Sequence, residues 1–159
     1  MSKLKDRAAL AKTIAGLKKK GKKVVFANGC FDVVHVGHAR FLKGAKAKGD
    51  VLVLGLNSDS SVRRLKGKGR PLVSEKERAE LMESFEVIDY IVIFNELTVE
   101  KTLRELRPHY HAKGTDYTKD TVPEKELTAS LGIKIAIVGD KKNHSTKDII
   151  KTVLEKENK

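Results

Sequence analysis

The chain has one cysteine, no tryptophan and three prolines in 159 residues, and each scarcity excludes something. Cys30 alone cannot build a disulfide framework or supply a zinc site, which suits a reducing compartment. Aromatic residues make up only 5% of the chain and no recognised nucleic-acid motif occurs, so a base-stacking nucleic-acid module is disfavoured. Nowhere do about 18 apolar residues run together, and the opening stretch MSKLKDRAALAKTIAGLKKKGKK lacks the apolar core of a secretion signal. A soluble, cytoplasmic protein without membrane partners is therefore expected. G-x-G-x-x-G after the first apolar run, G-x-x-x-x-G-K-[ST] and G-x-S-x-G are all absent, which withholds support from dehydrogenase, P-loop and hydrolase readings. No repeat, low-complexity tract or composition break marks a linker, so residues 1–159 read as a single domain.

What the chain does have is positive charge. Lys and Arg number 33 against 21 Asp and Glu, a formal net charge of +12, which favours an anionic partner such as a phosphorylated metabolite. Leu4, Arg7, Leu10, Ala11, Ile14 and Leu17 recur at helical spacing, predicting an amphipathic N-terminal helix within residues 1–22 that ends at Gly21 and docks on the rest. Five apolar runs follow, KVVFAN, VLVLGLN, DYIVIFN, HYHAKG and KIAIVGD, separated by segments of helical periodicity. Four of them are apolar at nearly every position, as strands covered on both faces must be; HYHAKG is the weak one. The expectation is an α/β fold, a Rossmann-like doubly wound parallel sheet of about five strands. One segment interrupts the alternation: RRLKGKGRPLVSEKERAEL reads as a mobile, anion-seeking loop or lid, followed by a helix with Ser74 as N-cap and Glu77 completing a capping box.

The stretch VVFANGCFDVVHVGHARFL carries the chemistry. In an open α/β sheet, ligands bind beyond the carboxyl ends of the strands, where helix N-termini present N–H groups and positive dipole ends. Here an apolar strand delivers Asn28-Gly29-Cys30-Phe31-Asp32 to that place, and His35, Gly37 and His38 fall at the start of the following helix. Three readings stay open for the histidines. They can be capping or core residues, they can ligate a metal with Cys30 or Asp32, or they can stabilise negative charge developing on a phosphate.

GCFDVVHVGHARFL resembles the H-x-G-H signature of the cytidylyltransferase-like nucleotidyltransferases. Five ordered blocks, running from NGCFDVVHVGHARFLKGAKAKGD to NHSTKDII, are similar to the branch that adenylylates D-glycero-β-D-manno-heptose 1-phosphate in lipopolysaccharide core biosynthesis. The resemblance implies attack of a sugar 1-phosphate on the α-phosphorus of ATP, giving ADP-heptose and pyrophosphate, with Mg²⁺ on the triphosphate. It implies also a homodimer, and a stand-alone enzyme working beside a separate heptose kinase. Relatives elsewhere in the superfamily leave a cytidylyltransferase for a small polyol or amino-alcohol phosphate as the alternative.

Carried over by residue, the resemblance gives His35, His38 and Lys66 catalytic contacts to the phosphates. Asn28, Gly29, Cys30, Phe31, Gly37, Lys113, Ser145 and Thr146 would bind nucleotide. Asp32, Asn57, Asp59, Arg70, Arg78, Gly114, Asp116 and Tyr117 would bind the sugar-phosphate side. Competing readings are an Asx turn for Asn57 and Asp59, and surface pairing with glutamates for Arg70 and Arg78. The chain departs from the branch where Asn143-His144-Ser145-Thr146-Lys147 replaces Gly-x-Ser-Thr-Thr. It departs again where Asp140, Lys141 and Lys142 stand in place of an arginine found in related cytidylyltransferases.

Overall fold

The computed structural model describes residues 2–141 and 143–159. All five expected strands form: β1 (Val24–Gly29), β2 (Val51–Asn57), β3 (Tyr90–Phe94), β4 (Tyr110–Lys113) and β5 (Lys134–Ile137). They make one parallel sheet in the order β3-β2-β1-β4-β5. Helices α1 (Arg7–Lys19), α2 (Val36–Lys46), α3 (Asp59–Lys66), α4 (Glu75–Glu83), α5 (Glu100–Leu106), α6 (Lys125–Ser130) and α7 (Thr146–Glu157) complete the alternation. Every residue of β2 is buried, as expected of a parallel strand with helices on both faces. HYHAKG, weak by pattern, lies inside the sheet between β1 and β5, where three of the four β4 residues are buried and the polar His111 is accommodated by a hydrogen-bond partner.

The core falls on two sides of the sheet. On one, Leu42 and Ala45 of α2 and Ala79 and Met82 of α4 pack on Leu52, Leu54 and Ile91. On the other, Leu10 and Ile14 of α1 and Leu103 and Leu106 of α5 pack on Val24, Phe26 and Val92. Gly55 of β2 is required there, because a Cβ would stand 2.5 Å from Cζ of Phe26. Leu4, expected on the helical stripe, lies outside it: Asp6 caps α1 by accepting from the Ala9 N–H, and Leu4 instead bridges to Ile91 beside the sheet. Gly21, with φ 76°, follows the helix in the left-handed region that the expected stop requires.

Two elements frame the site differently from the rest. The basic segment between β2 and β3 carries α3 before its glycines and α4 after them, and Ser74 and Glu77 form the expected capping box. Helix α7, by contrast, contains no buried residue and leaves Val153 and Leu154 exposed. Among the described residues no helix is long and apolar enough to cross a membrane.

Candidate functional site

The strand order reverses between β1 and β4, so the loops leaving these two strands diverge and open a crevice at their carboxyl ends. A cleft of about 1230 Å³ occupies it. One arm runs toward β2 and β3, past Asn57, Leu65, Lys66, Phe94, Leu97, Thr98 and Val99. The other runs toward β4 and β5, past Lys113, Gly114, Asp116, Tyr117, Glu124 and Val138. A single small ligand needs roughly 300–1,000 Å³, so the cleft has room for two reactants meeting over the end of β1.

The histidine pair stands at that meeting point and builds the helix start itself. His35, in extended conformation (φ −141°, ψ 175°), is the N-cap of α2, and its Nδ1 accepts the Gly37 N–H at 3.1 Å. His38 reaches back so that its Nδ1 accepts the His35 N–H at 3.2 Å. The result is a capping box made of two imidazoles. A ring nitrogen that accepts carries no proton, so each neutral ring bears its hydrogen on Nε2, and both rings present the same kind of donor. The rings stack with centroids 3.9 Å apart, and Phe31 flanks His38 at 4.9 Å. The capping and phosphate-donor readings of the sequence are thus compatible, one ring nitrogen serving each. Metal ligation gains nothing: among the described residues no three His, Cys, Asp or Glu side chains converge to hold an ion.

The glycines here serve the rings. A Cβ on Gly37 would meet the His35 ring at 2.9 Å, and one on Gly29 would meet Cε2 of Phe31 at 2.8 Å. Phe31 itself adopts φ 48°, a left-handed conformation that costs energy for a non-glycine residue and swings its buried ring under the turn. On the opposite wall Ser145 caps α7 by accepting the Asp148 N–H, so a second helix N-terminus faces the cleft. Thr146 does not cap; its hydroxyl donates to the Val33 carbonyl and ties α7 to the loop after β1. Lys141 and Lys147 line the cleft, Asp140 pairs with Arg40, and Lys142 lies outside the described residues.

Several sequence assignments are corrected. Arg78 is neither a surface residue nor part of the cleft wall: it is 0% exposed and lies outside the cleft lining. Its guanidinium donates to the Val73, Cys30 and Asn57 carbonyls and to Asp59 Oδ1, riveting α4 to the ends of β1 and β2. Asp59 accordingly faces Arg78 rather than the cleft, and Ser58, not an Asx turn, caps α3. Asn57 does line the cleft, with its amide donating to Ser61 Oγ.

Asp32 is committed to the basic loop. It accepts from Arg70 Nε at 2.7 Å and from the Leu72 and Val73 N–H groups. Burial works to raise its pKa, but those three donors outweigh burial and hold the carboxyl below its ordinary value. The same contacts tether the expected lid: Lys66 and Arg70 line the cleft, and the loop beyond them is fastened to the histidine turn. Burial pushes the Cys30 thiol up, against the opposing charges of Lys66 and Arg78.

Three contributions escaped the sequence reading. His111 on β4 is 0% exposed, and its Nε2 lies 2.9 Å from Oδ1 of Asn28 across the sheet. Oδ1 can only accept, so Nε2 carries the hydrogen and fixes the amide of a cleft-lining residue. Burial first, and Lys113 second, lower its pKa to about 3, so this ring is neutral. Glu124, in TVPEKEL, lines the β4 arm and ion-pairs with Lys113 at 3.5 Å. Leu97, Thr98 and Val99 form the wall after β3. Their only sequence signal is position, in loops that follow the carboxyl ends of β3 and β4.

A parallel sheet whose switch point opens beneath two helix N-termini and a histidine capping box defines a phosphate-handling α/β protein. The sequence pattern of the family described as cytidylyltransferase-like matches residues 26–154, and the chain belongs to that family of nucleotidyltransferases. It is 49% identical over 155 residues to the bifunctional protein HldE of Pelobacter propionicus, covering 98% of this chain and 32% of that protein. With the bifunctional protein HldE of Geobacter metallireducens the identity is 48% over 153 residues, covering 96% and 31%. The chain thus spans about a third of the length of these relatives. Among solved structures, the lipopolysaccharide core biosynthesis protein of Thermoplasma volcanium GSS1 is similar, with a TM-score of 0.65 and 30% identity. That match covers 76% of this chain and 98% of the other.

Proposed function

We propose that the protein transfers AMP from ATP to D-glycero-β-D-manno-heptose 1-phosphate, releasing pyrophosphate and forming ADP-heptose for lipopolysaccharide core synthesis. The observation that carries this reading is the imidazole capping box at the head of a cleft large enough for two reactants. The heptose is supported by the likeness to HldE proteins and to a lipopolysaccharide core biosynthesis protein.

The chemistry asks little of the protein beyond placement and charge. A phosphate monoester is already an anionic nucleophile near neutral pH; one of its oxygens attacks the α-phosphorus while the bond to the β-phosphate oxygen breaks in line. The Nε2–H groups of His35 and His38 donate to the α-phosphoryl oxygens as charge builds there. The amides opening α2 and α7 add fixed positive potential on either side. Lys66, Lys141 and Lys147 have no ion-pair partner among the described residues, so their charge is available to the triphosphate. Mg²⁺ would be carried in on the triphosphate and would offset charge on the departing pyrophosphate.

The family description also favours a second reading, a cytidylyltransferase acting on a small polyol or amino-alcohol phosphate. A pyrophosphate-release assay crossing ATP and CTP with heptose 1-phosphate, glycerol 3-phosphate and phosphocholine separates the two. Turnover confined to ATP with heptose 1-phosphate is expected; turnover confined to CTP would overturn the proposal.

A further inference from the structure

We infer that Glu124 is a specificity residue whose carboxylate accepts a hydrogen bond from a sugar hydroxyl of a bound substrate, an inference that rests on the adenylyl-transfer reading above. Glu124 is 7% exposed, yet it lines the cleft. Its Oε2 is sealed from solvent and accepts no hydrogen bond. Lys113 Nζ, 3.5 Å away, supplies a counter-charge but stands beyond the usual range of about 2.7–3.2 Å for a hydrogen bond. That ammonium is shared with the Tyr117 ring, 4.7 Å from its centroid. Oε2 is thus closed to a ligand and turned to Lys113, whereas Oε1 accepts no hydrogen bond among the described residues, and on a cleft-lining side chain it is the oxygen that a ligand donor can complete.

The surroundings restrict what that ligand group can be. A phosphate is repelled by the carboxylate, and a cation is unneeded because Lys113 already balances the charge. What remains is a neutral donor, and hydroxyls are the neutral donors that ribose and heptose both carry. The Glu124 backbone is held independently of any ligand, since its carbonyl accepts from Thr128 N and Oγ1 at the start of α6. The carboxylate is therefore presented from a fixed frame.

The test compares parent and deoxy substrates on wild type, Glu124→Gln and Glu124→Ala. Nucleotide arms use ATP against 2′-deoxy-ATP and 3′-deoxy-ATP; sugar arms use heptose 1-phosphate against its deoxy forms and against mannose 1-phosphate, which lacks the seventh carbon. Wild type should disfavour the one analogue that lacks the contacted hydroxyl by roughly 10–100-fold in kcat/KM, the range for a hydrogen bond to a charged group. Glu124→Ala should erase that discrimination and leave the other analogues' ratios unchanged, and the arm affected identifies the sugar. Equal losses on parent and deoxy substrates in both variants would mean that Glu124 only holds Lys113, and would overturn the inference. So would discrimination that moves only with purine riboside triphosphate, which lacks the exocyclic amine. If wild type releases no pyrophosphate with ATP and heptose 1-phosphate, the adenylyl-transfer reading fails by itself. Equilibrium binding of ATP and its two deoxy forms to the same three proteins then decides the role of Glu124, unchanged ratios overturning it.

Discussion

His35 performs two tasks with two ring nitrogens, and substitution can separate them. Nδ1 accepts the Gly37 N–H and caps α2, while Nε2–H is assigned to the α-phosphoryl oxygens. Asn is among the best N-cap residues and its side chain ends near where the ring's Nδ1 lies, so His35→Asn keeps an acceptor for the helix while its amide N–H groups fall short of the Nε2 position. His35→Ala removes both. Loss of an N-cap costs about 1 kcal/mol, which in a domain of this size lowers Tm by roughly 2–4 °C. Loss of one transition-state donor costs about 10²–10³ in kcat. His35→Asn should therefore melt within about 2 °C of wild type yet turn over 10²–10³-fold more slowly, whereas His35→Ala should show both defects. Scanning calorimetry and pyrophosphate release on the same preparations provide the two readings. An Asn variant with near-normal kcat would refute the donor role and leave His35 as a cap alone.

Other expectations rest on separate features. Arg78→Met strands three carbonyls and leaves the partly exposed Asp59 carboxylate without its partner, so it should lose about 3 kcal/mol in urea unfolding. A variant of wild-type stability that had lost only substrate affinity would return Arg78 to the ligand-binding set. Gly55→Ala places a methyl group against the Phe26 ring and should destabilise by about 1–3 kcal/mol, measured the same way, with KM values unchanged if the fold is retained. His111 has a folded pKa of about 3 against an ordinary 6.5, so the unfolded chain binds the extra proton between those values. Stability should be complete above pH 6.5 and fall by up to about 1.4 kcal/mol per unit as pH drops toward 3. His111→Gln should flatten that slope in urea titrations between pH 6.5 and 4, and an unchanged slope would show that burial of this ring does not govern it.

The alternation of β-branched runs with helical segments made the parallel sheet legible, because strands buried on both faces leave a near-continuous apolar signature. The histidine turn was legible for a related reason: a strand that ends in Asn-Gly ahead of an H-x-G-H helix start can lie in only one kind of place in such a fold. Arg78 was misread because periodicity records which face of α4 turns inward but not what carbonyls wait there. A charged residue on that face looks like a surface residue until the ends of β1 and β2 are seen to surround it. His111 and Glu124 were invisible for want of distance information, since the partners Asn28 and Lys113 lie 83 and 11 residues away along the chain. Leu4 illustrates the ordinary failure at element ends, where Asp6 starts the helix one turn later than the apolar stripe suggests.

Helix α7 turns its first residues to the cleft while none of its side chains is buried, and the Thr146 hydroxyl, donating to the Val33 carbonyl, fastens that first turn to the loop after β1. Substitutions along the outer turns of α7 therefore leave no cavity in the core, so this wall of the cleft is free to vary in sequence at little cost to folding, provided the Thr146 tether is kept.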